Sequence, residues 1–267
     1  NGLFKGKNLN ELIDLYPEEM LGKTVFARFG KQFPLLFKYL DAREDLSIQL
    51  HPNDELAKAR HNSFGKTEMW YVMQADENAR LIVGFKEDSS REEYLHHIEN
   101  KKLISLLNEV PVKKGDVFFL ETGTIHAIGA GIVIAEIQQT SDVTYRIYDW
   151  DRVDANGNER ELHTELALDA INYKTTFAKK EYKSTENKST SLVDCPYFKT
   201  NIIPLNGELL IEKTSDSFMV FMCTEGSFEL FLNDEKYAYQ TGDTVLIPAI
   251  YTSFLLRGTA NLLEITI

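Results

Sequence analysis

Four side chains in this sequence offer electron pairs in a pattern suited to a divalent metal: Gln49, His51, Glu68 and His126. Gln49 and His51 stand in the run Ser47-Ile48-Gln49-Leu50-His51, where polar and apolar residues alternate. Successive side chains along a strand point to opposite faces, so Ser47, Gln49 and His51 share one face. An amide oxygen and an imidazole nitrogen are thereby aimed at one point. Glu68 opens the apolar run Met69-Trp70-Tyr71-Val72 and adds a carboxylate, and His126 adds a second imidazole. Two nitrogens and two oxygens suit zinc or another divalent first-row ion, and so small a set leaves positions for water or substrate oxygens. Taken singly, each residue has an ordinary use as a strand-end charge or a polar surface group. Their combination on strands is what points to a metal. His61, His96, His97 and His163 have no such company and are given no role.

The elements that must position these groups read mainly as strands. Residues 33–39, 46–50, 68–73, 79–85, 116–121, 132–138 and 144–148 have strand patterns, with 68–73 and 79–85 expected to pair around a polar turn. Short helices are expected after the capping pattern at Asn8, ending near Pro17, over 55–60 and over 165–172. Ser90 and Glu93 form a capping box that opens one or two further helices within 89–110. A polar stretch, 174–191, reads as a linker or exposed hairpin, and 197–267 reads as many short strands.

Two segments of the chain resemble each other. Residues 115–126 run from a Gly-Asp turn through an apolar strand to a tight turn, and 242–253 repeat the pattern. The strand 68–73 matches 217–222 more loosely. In this register His126 falls opposite Ser253 and Glu68 opposite Ser217, so the first copy keeps metal-binding groups and the second has lost them. The stretch 115–126 also resembles the second cupin motif, with Glu121 where proline is usual.

Composition sets bounds on function. The net charge of -12, from 29 Lys and Arg against 41 Asp and Glu, argues against nucleic acid or an anionic membrane as the main partner. A small anionic substrate needs only a local cluster of donors and stays open. The two cysteines, Cys195 and Cys223, are too few for a disulfide scaffold in 267 residues and read as buried small hydrophobes in a reducing compartment. No apolar run reaches the roughly 18 residues of a membrane span, and no signal peptide is visible.

The motifs Ser47-Ile48-Gln49-Leu50-His51-Pro52-Asn53-Asp54, Gly65-Lys66-Thr67-Glu68-Met69-Trp70, Gly123-Thr124-Ile125-His126 and Ser141-Asp142-Val143-Thr144-Tyr145-Arg146 occur in the order and near the spacing of one family. With them the chain closely resembles the type I mannose-6-phosphate isomerases in their short bacterial form. The resemblance covers about 1–174 and runs more weakly through the rest. It implies a mainly β fold of two cupin-like jelly-roll barrels with a few short helices. Residues 1–175 would form the catalytic metal-binding cupin, with a helical insertion near 89–110, and 176–267 a degenerate second cupin without a metal site. The family's metal ligands fall on Gln49, His51, Glu68 and His126, which implies one zinc per chain, other divalent ions being alternatives. Its active-site lysine and arginine fall on Lys66 and Arg146, its serine beside the metal strand on Ser47, and its matching glutamate on Glu136. Ser47, Lys66 and Arg146 would contact substrate, and Glu136 is the candidate base or a group that orients Arg146. The implied reaction is interconversion of mannose 6-phosphate and fructose 6-phosphate through a cis-enediol, in the cytoplasm, by a monomer or homodimer. Another cupin sugar-phosphate isomerase or epimerase, or a non-catalytic sugar-binding bicupin, is the alternative. The family carries a Trp-Gly-Gly stretch ahead of the segment that opens at Asn1, so part of its chain is expected to precede this sequence.

Overall fold

A computed structural model describes residues 4–267; Asn1, Gly2 and Leu3, where the resemblance begins, lie outside the described residues. The elements in order are α1 (Leu9–Leu15), α2 (Pro17–Leu21), α3 (Lys23–Phe29), β1 (Leu35–Ala42), β2 (Ile48–Leu50), α4 (Asp54–His61), β3 (Glu68–Ala75) and β4 (Arg80–Phe85). There follow α5 (Arg91–Glu99), α6 (Leu103–Leu106), β5 (Leu107–Pro111), β6 (Val117–Leu120), β7 (His126–Ile128), β8 (Ile132–Gln139), β9 (Tyr145–Tyr148), α7 (Thr164–Leu168) and β10 (Lys179–Lys180). The chain ends with β11 (Thr190–Asp194), β12 (Lys199–Glu212), β13 (Met219–Leu232), β14 (Glu235–Gln240), β15 (Thr244–Ile247) and β16 (Ser253–Thr266). The mainly β cupin architecture is as the sequence implied, built as three antiparallel sheets.

Leu35–Lys180 forms one compact unit of two five-stranded sheets, ordered β1-β8-β3-β6-β10 and β5-β4-β7-β2-β9. Neither order returns to its first strand among the described residues, so the expected barrel is two facing sheets. Trp70, Val72, Phe118, Leu120, Ile132 and Ile134 of the first sheet pack against Leu81, Val83 and Ile128 of the second, forming the core between them. Ile48, Leu50, Ile82, Ala127, Tyr145 and Ile147 turn to the other face of the second sheet, where Tyr94, Leu103 and Ala167 from helices cover them. Strand alternation thus sorts each strand into an outward apolar set and an inward set, and the inward set includes Gln49 and His126.

Local signals place most ends. Asn8 and Glu11 form the expected capping box of α1, and Ser90 caps α5 by accepting from the Glu93 N–H at 3.1 Å. Pro17 begins α2 instead of merely ending a helix, because the first turn of a helix has no use for the missing N–H. Two pairings differ from the sequence reading. β3 and β4 do not pair with each other: β3 lies between β6 and β8, and β4 between β5 and β7. The expected helical region 89–110 ends early, since Leu107–Pro111 is a strand on the edge of β4. Leu107, Val110 and their neighbours fit either period, and only the open edge of β4 chooses the strand.

The chain before Leu35 groups with Glu181–Ile267 in the second unit and apart from the residues that follow it. Its ties include backbone bonds, Phe218 N–H donating to Leu21 O at 3.0 Å and Ala249 N–H to Met20 O at 3.1 Å, and the Phe33 ring against Phe218. Strands β12, β13 and β16 here are each 14 residues long, in place of the many short strands expected. Glycines form corners inside these continuous strands. Gly207 pairs with Gly258, and Gly226 with Ala260. A Cβ on Gly226 would lie 2.1 Å from Thr259 O, and one on Gly258 2.4 Å from Ser227 O, so only glycine lets these backbones approach at the bend.

The internal repeat is visible as strand pairing, with one shift. Glu68 faces Leu120, and Met219 faces Ile247, the residue aligned with Leu120. Pairing therefore puts Met219, and not Ser217, in the place of Glu68.

Candidate metal and substrate site

The site lies between the two sheets of the Leu35–Lys180 unit. On the second sheet, Gln49 is in register with His126 on one side and Arg146 on the other, and His126 with Val83. These side chains form a row on the inward face. On the first sheet, Lys38 is in register with Glu136, and Glu136 with Trp70; Glu68 is in register with Gln138. A cavity of about 300 Å³ opens between the rows, walled by Ser47, Gln49, Lys66, His126 and Glu136 among others.

His51 and Glu68, together with His126 of the cavity wall, are buried and bring their donor atoms within 4.8 Å of one another. His51 Nε2 is 3.5 Å from one Glu68 oxygen, and His126 Nε2 is 3.3 Å from the other. Each imidazole is fixed from behind. His51 Nδ1 donates to Val143 O and His126 Nδ1 to Thr124 O, both at 2.9 Å, so each Nε2 carries a lone pair. Neither Glu68 oxygen accepts a hydrogen bond, although both are buried. Lone pairs on two imidazoles and a carboxylate thus face one another. The Lys66 ammonium offsets part of their mutual repulsion, and the donor set is one that a divalent ion fits. Gln49 lies beside this group, its amide nitrogen 3.5 Å from His126 Nε2; a half-turn of the amide presents the oxygen instead.

Burial sets the charges. It lowers the His51 pKa well below the usual imidazole value and pushes His126 down to about 4, so both are neutral at pH 7. Burial, then repulsion from Glu136, raises Glu68 to about 7, with Lys66 acting in the opposite sense. The Lys66 ammonium is buried 3.2 Å from His51 Nε2 and 3.2 Å from Glu68 Oε2.

Glu136 is buried and held from both sides. Lys38 Nζ donates to one oxygen and Trp70 Nε1 to the other, each at 2.9 Å. Its recorded partners are these two residues, not Arg146. Arg146 points inward beside Gln49 but is not among the residues walling the cavity. Its Nη1 donates to Glu161 O at 2.9 Å, while its Nε is buried without a hydrogen-bond partner. Burial, followed by the nearby Arg160 charge, lowers its pKa.

Sequence reasoning passed over Lys38, Trp70, Arg160 and His163. Lys38 had a signal, being the single cation inside the apolar run 33–39. Arg152 and Arg160 also wall the cavity, and both approach the buried carboxylate of Asp149, Arg160 at 3.7 Å. Trp150 and Asp151 adopt positive φ of 58° and 53°, the turn that folds Arg152 back onto Asp149.

Comparison with known proteins bears on what such a site does. Residues 3–81 match a model of the phosphomannose isomerase type I catalytic domain, and 188–267 match a model of the mannose-6-phosphate isomerase cupin domain. The chain is 37% identical to mannose-6-phosphate isomerase ManA of Bacillus subtilis, over 98% of this chain and 82% of that one. It is 37% identical to mannose-6-phosphate isomerase of Streptococcus mutans over the same shares. The crystal structure of the mannose 6-phosphate isomerase from Bacillus subtilis superimposes with a TM-score of 0.88 at 35% identity, covering 100% of this chain and 84% of that one.

Proposed function

The chain belongs to the type I mannose-6-phosphate isomerases, and from that premise we propose that it interconverts mannose 6-phosphate and fructose 6-phosphate. The observation that carries the reading is the convergence of the His51, Glu68 and His126 lone pairs, with the Lys66 ammonium beside them, next to a cavity that His126 and Lys66 wall.

Gln49, His51, Glu68 and His126 would hold one divalent ion, zinc first, with cobalt or manganese compatible with the same donors. An ion held there would supply Lewis-acid stabilisation of the negative charge that develops on the substrate. The rest of the task falls to the protein. A proton must leave one of the sugar carbons C1 and C2 and return to the other. Glu136 is assigned this transfer: it lies in the cavity wall, and a carboxylate that accepts one hydrogen bond on each oxygen keeps further lone pairs for a proton. Its recorded bonds to Lys38 and Trp70 favour this role over that of orienting Arg146. Lys66 places positive charge where the enediolate oxygens form. Arg146, with its buried unpaired Nε, and Ser47 hold substrate oxygens, and Arg152 and Arg160 add guanidinium charge for the phosphate. In a chain of net charge -12, such local cations are needed to attract an anionic sugar.

Catalysis is assigned to the Leu35–Lys180 unit, which contains all of these residues. The second cupin carries Met219 and Ser253 at the positions of Glu68 and His126 and is read as a non-catalytic partner. Two free thiols and bacterial relatives support a cytoplasmic site of action.

A coupled assay that follows fructose 6-phosphate formed from mannose 6-phosphate tests the reading. Turnover should vanish with a chelator and return on adding zinc, cobalt or manganese. A metal-loaded, folded protein that leaves mannose 6-phosphate unchanged would overturn it.

A further inference from the structure

Arg146 sits on β9, which among the described residues is an edge strand with β2 on one side and no strand on the other. Its outer side is nevertheless satisfied. The Arg146 N–H donates to Nδ1 of His163 at 3.2 Å, and the His163 N–H donates to Arg146 O at 2.7 Å. In an antiparallel ladder the N–H and C=O of one residue point to the same side. Both backbone groups of Arg146 are therefore committed to one histidine, whose ring nitrogen stands where a strand carbonyl would. A third bond runs from Arg146 Nη1 to Glu161 O at 2.9 Å. The short segment 161–163 thus grips both the backbone and the guanidinium of Arg146, while the buried Nε of that side chain has no hydrogen-bond partner.

The ring that does this is itself held. It lies 6.3 Å from the Tyr145 ring, inclined at 30°, and the Tyr145 hydroxyl is 2.9 Å from His61 Nε2. The His163 carbonyl accepts from Ala167 N–H at 2.9 Å, fastening the residue to the start of α7.

We infer that His163 is the positioning residue for Arg146, its Nδ1 acting as the acceptor that fixes the guanidinium over the substrate. The inference rests on the reading of Arg146 as a substrate-holding group. A misplacement of about 1 Å in such a group can lower a rate by up to about 100-fold.

Asparagine sets Oδ1 where histidine has Nδ1, so His163→Asn keeps the acceptor. Phenylalanine keeps a ring against Tyr145 and has no acceptor. The test compares His163→Ala, His163→Phe and His163→Asn, each alone and with Arg146→Ala, in the metal-loaded protein. Amide hydrogen exchange at Arg146 should quicken at least about tenfold in the alanine and phenylalanine variants and stay near wild type in the asparagine variant. Turnover of mannose 6-phosphate should fall roughly tenfold in the first two, mainly in kcat, and by less than about threefold in the third. Combined with Arg146→Ala, the same changes should add less than about twofold, because residues acting as a unit are not additive. Where His163→Ala fails to fold, the phenylalanine variant decides. Unchanged exchange at Arg146 without the acceptor, or a full penalty persisting in the Arg146→Ala background, overturns the inference. Failure of the isomerase reading would show separately, as a wild-type protein without turnover, and the exchange measurement would still accept or reject the His163 bond.

Discussion

Glu68 combines complete burial, two oxygens without hydrogen bonds and a pKa raised to about 7, and each property is relieved by a divalent cation. Without metal, a falling pH protonates Glu68 near 7, while His126 takes a proton only near 4. Protons and metal compete for the same oxygens, so metal affinity should rise with pH up to about 7 and flatten above it. A chelator-competition titration from about pH 5.5 to 8.5 measures this, and a flat profile would remove Glu68 from the ligand set. Glu68→Ala and His126→Ala should each lose metal and activity together while the β circular dichroism signal persists. Arg146→Ala should keep its metal but lower turnover by roughly two to three powers of ten, the scale of one charged transition-state contact. Arg146→Lys should recover part of that, since lysine keeps the charge and loses the fork. Metal content and kcat, measured on the same preparations, check both expectations.

At the scale of elements, the site depends on strand register across distant parts of the chain. Lys38, Glu136 and Trp70 come from β1, β8 and β3 and meet because those strands are neighbours in one sheet. Trp70→Phe keeps an aromatic ring, though a smaller one that leaves space in the core, and strips a buried Glu136 oxygen of its donor. The expected cost is about 1–3 kcal/mol, read from urea unfolding, together with lower turnover. The corner glycines of the second unit make a separate prediction. Gly226→Ala sets a Cβ against Thr259 O at a positive φ of 80° and should destabilise the protein by roughly 1–3 kcal/mol. Metal content should be unaffected, since the ligands belong to the other unit. Metal loss in that variant would show that the second unit supports the site directly.

For the whole molecule, the core between the sheets is apolar, built on Trp70, Val72, Leu81, Phe118 and Ile134, and does not include the ligands. Chelation should therefore leave the β signal intact and lower Tm only by the binding free energy withdrawn, an amount that vanishes at low free metal. Calorimetry with and without chelator checks this, and a metal-free chain that loses its β signal would make the ion structural. Among the described residues the second unit carries no equivalent group at the aligned positions, because Met219 and Ser253 have no strong ligand atoms. It offers instead the half-buried ammonium of Lys213, donating to the carbonyls of Thr214, Ser217 and Ala249 near the aligned strand.

The sequence by itself determined what is local. Alternation in 47–51 put Ser47, Gln49 and His51 on one face, the Asn8 and Ser90 caps marked helix starts, and the order of motifs identified the family. The donor set followed from residue type and strand period, which act over a few residues and survive in one dimension. The tertiary structure alone decided which strands became neighbours, and so separated β3 from β4, ran 14-residue strands through glycine corners, and paired Glu136 with Lys38 and Trp70. It also gave His163, one of the histidines that the sequence left without a role, to Arg146. Such pairings join residues 17 to 98 positions apart and depend on which sheet edges are open once the core has packed. No local period encodes that choice, because an edge strand and its partner need only complementary backbone groups, which every residue but proline supplies.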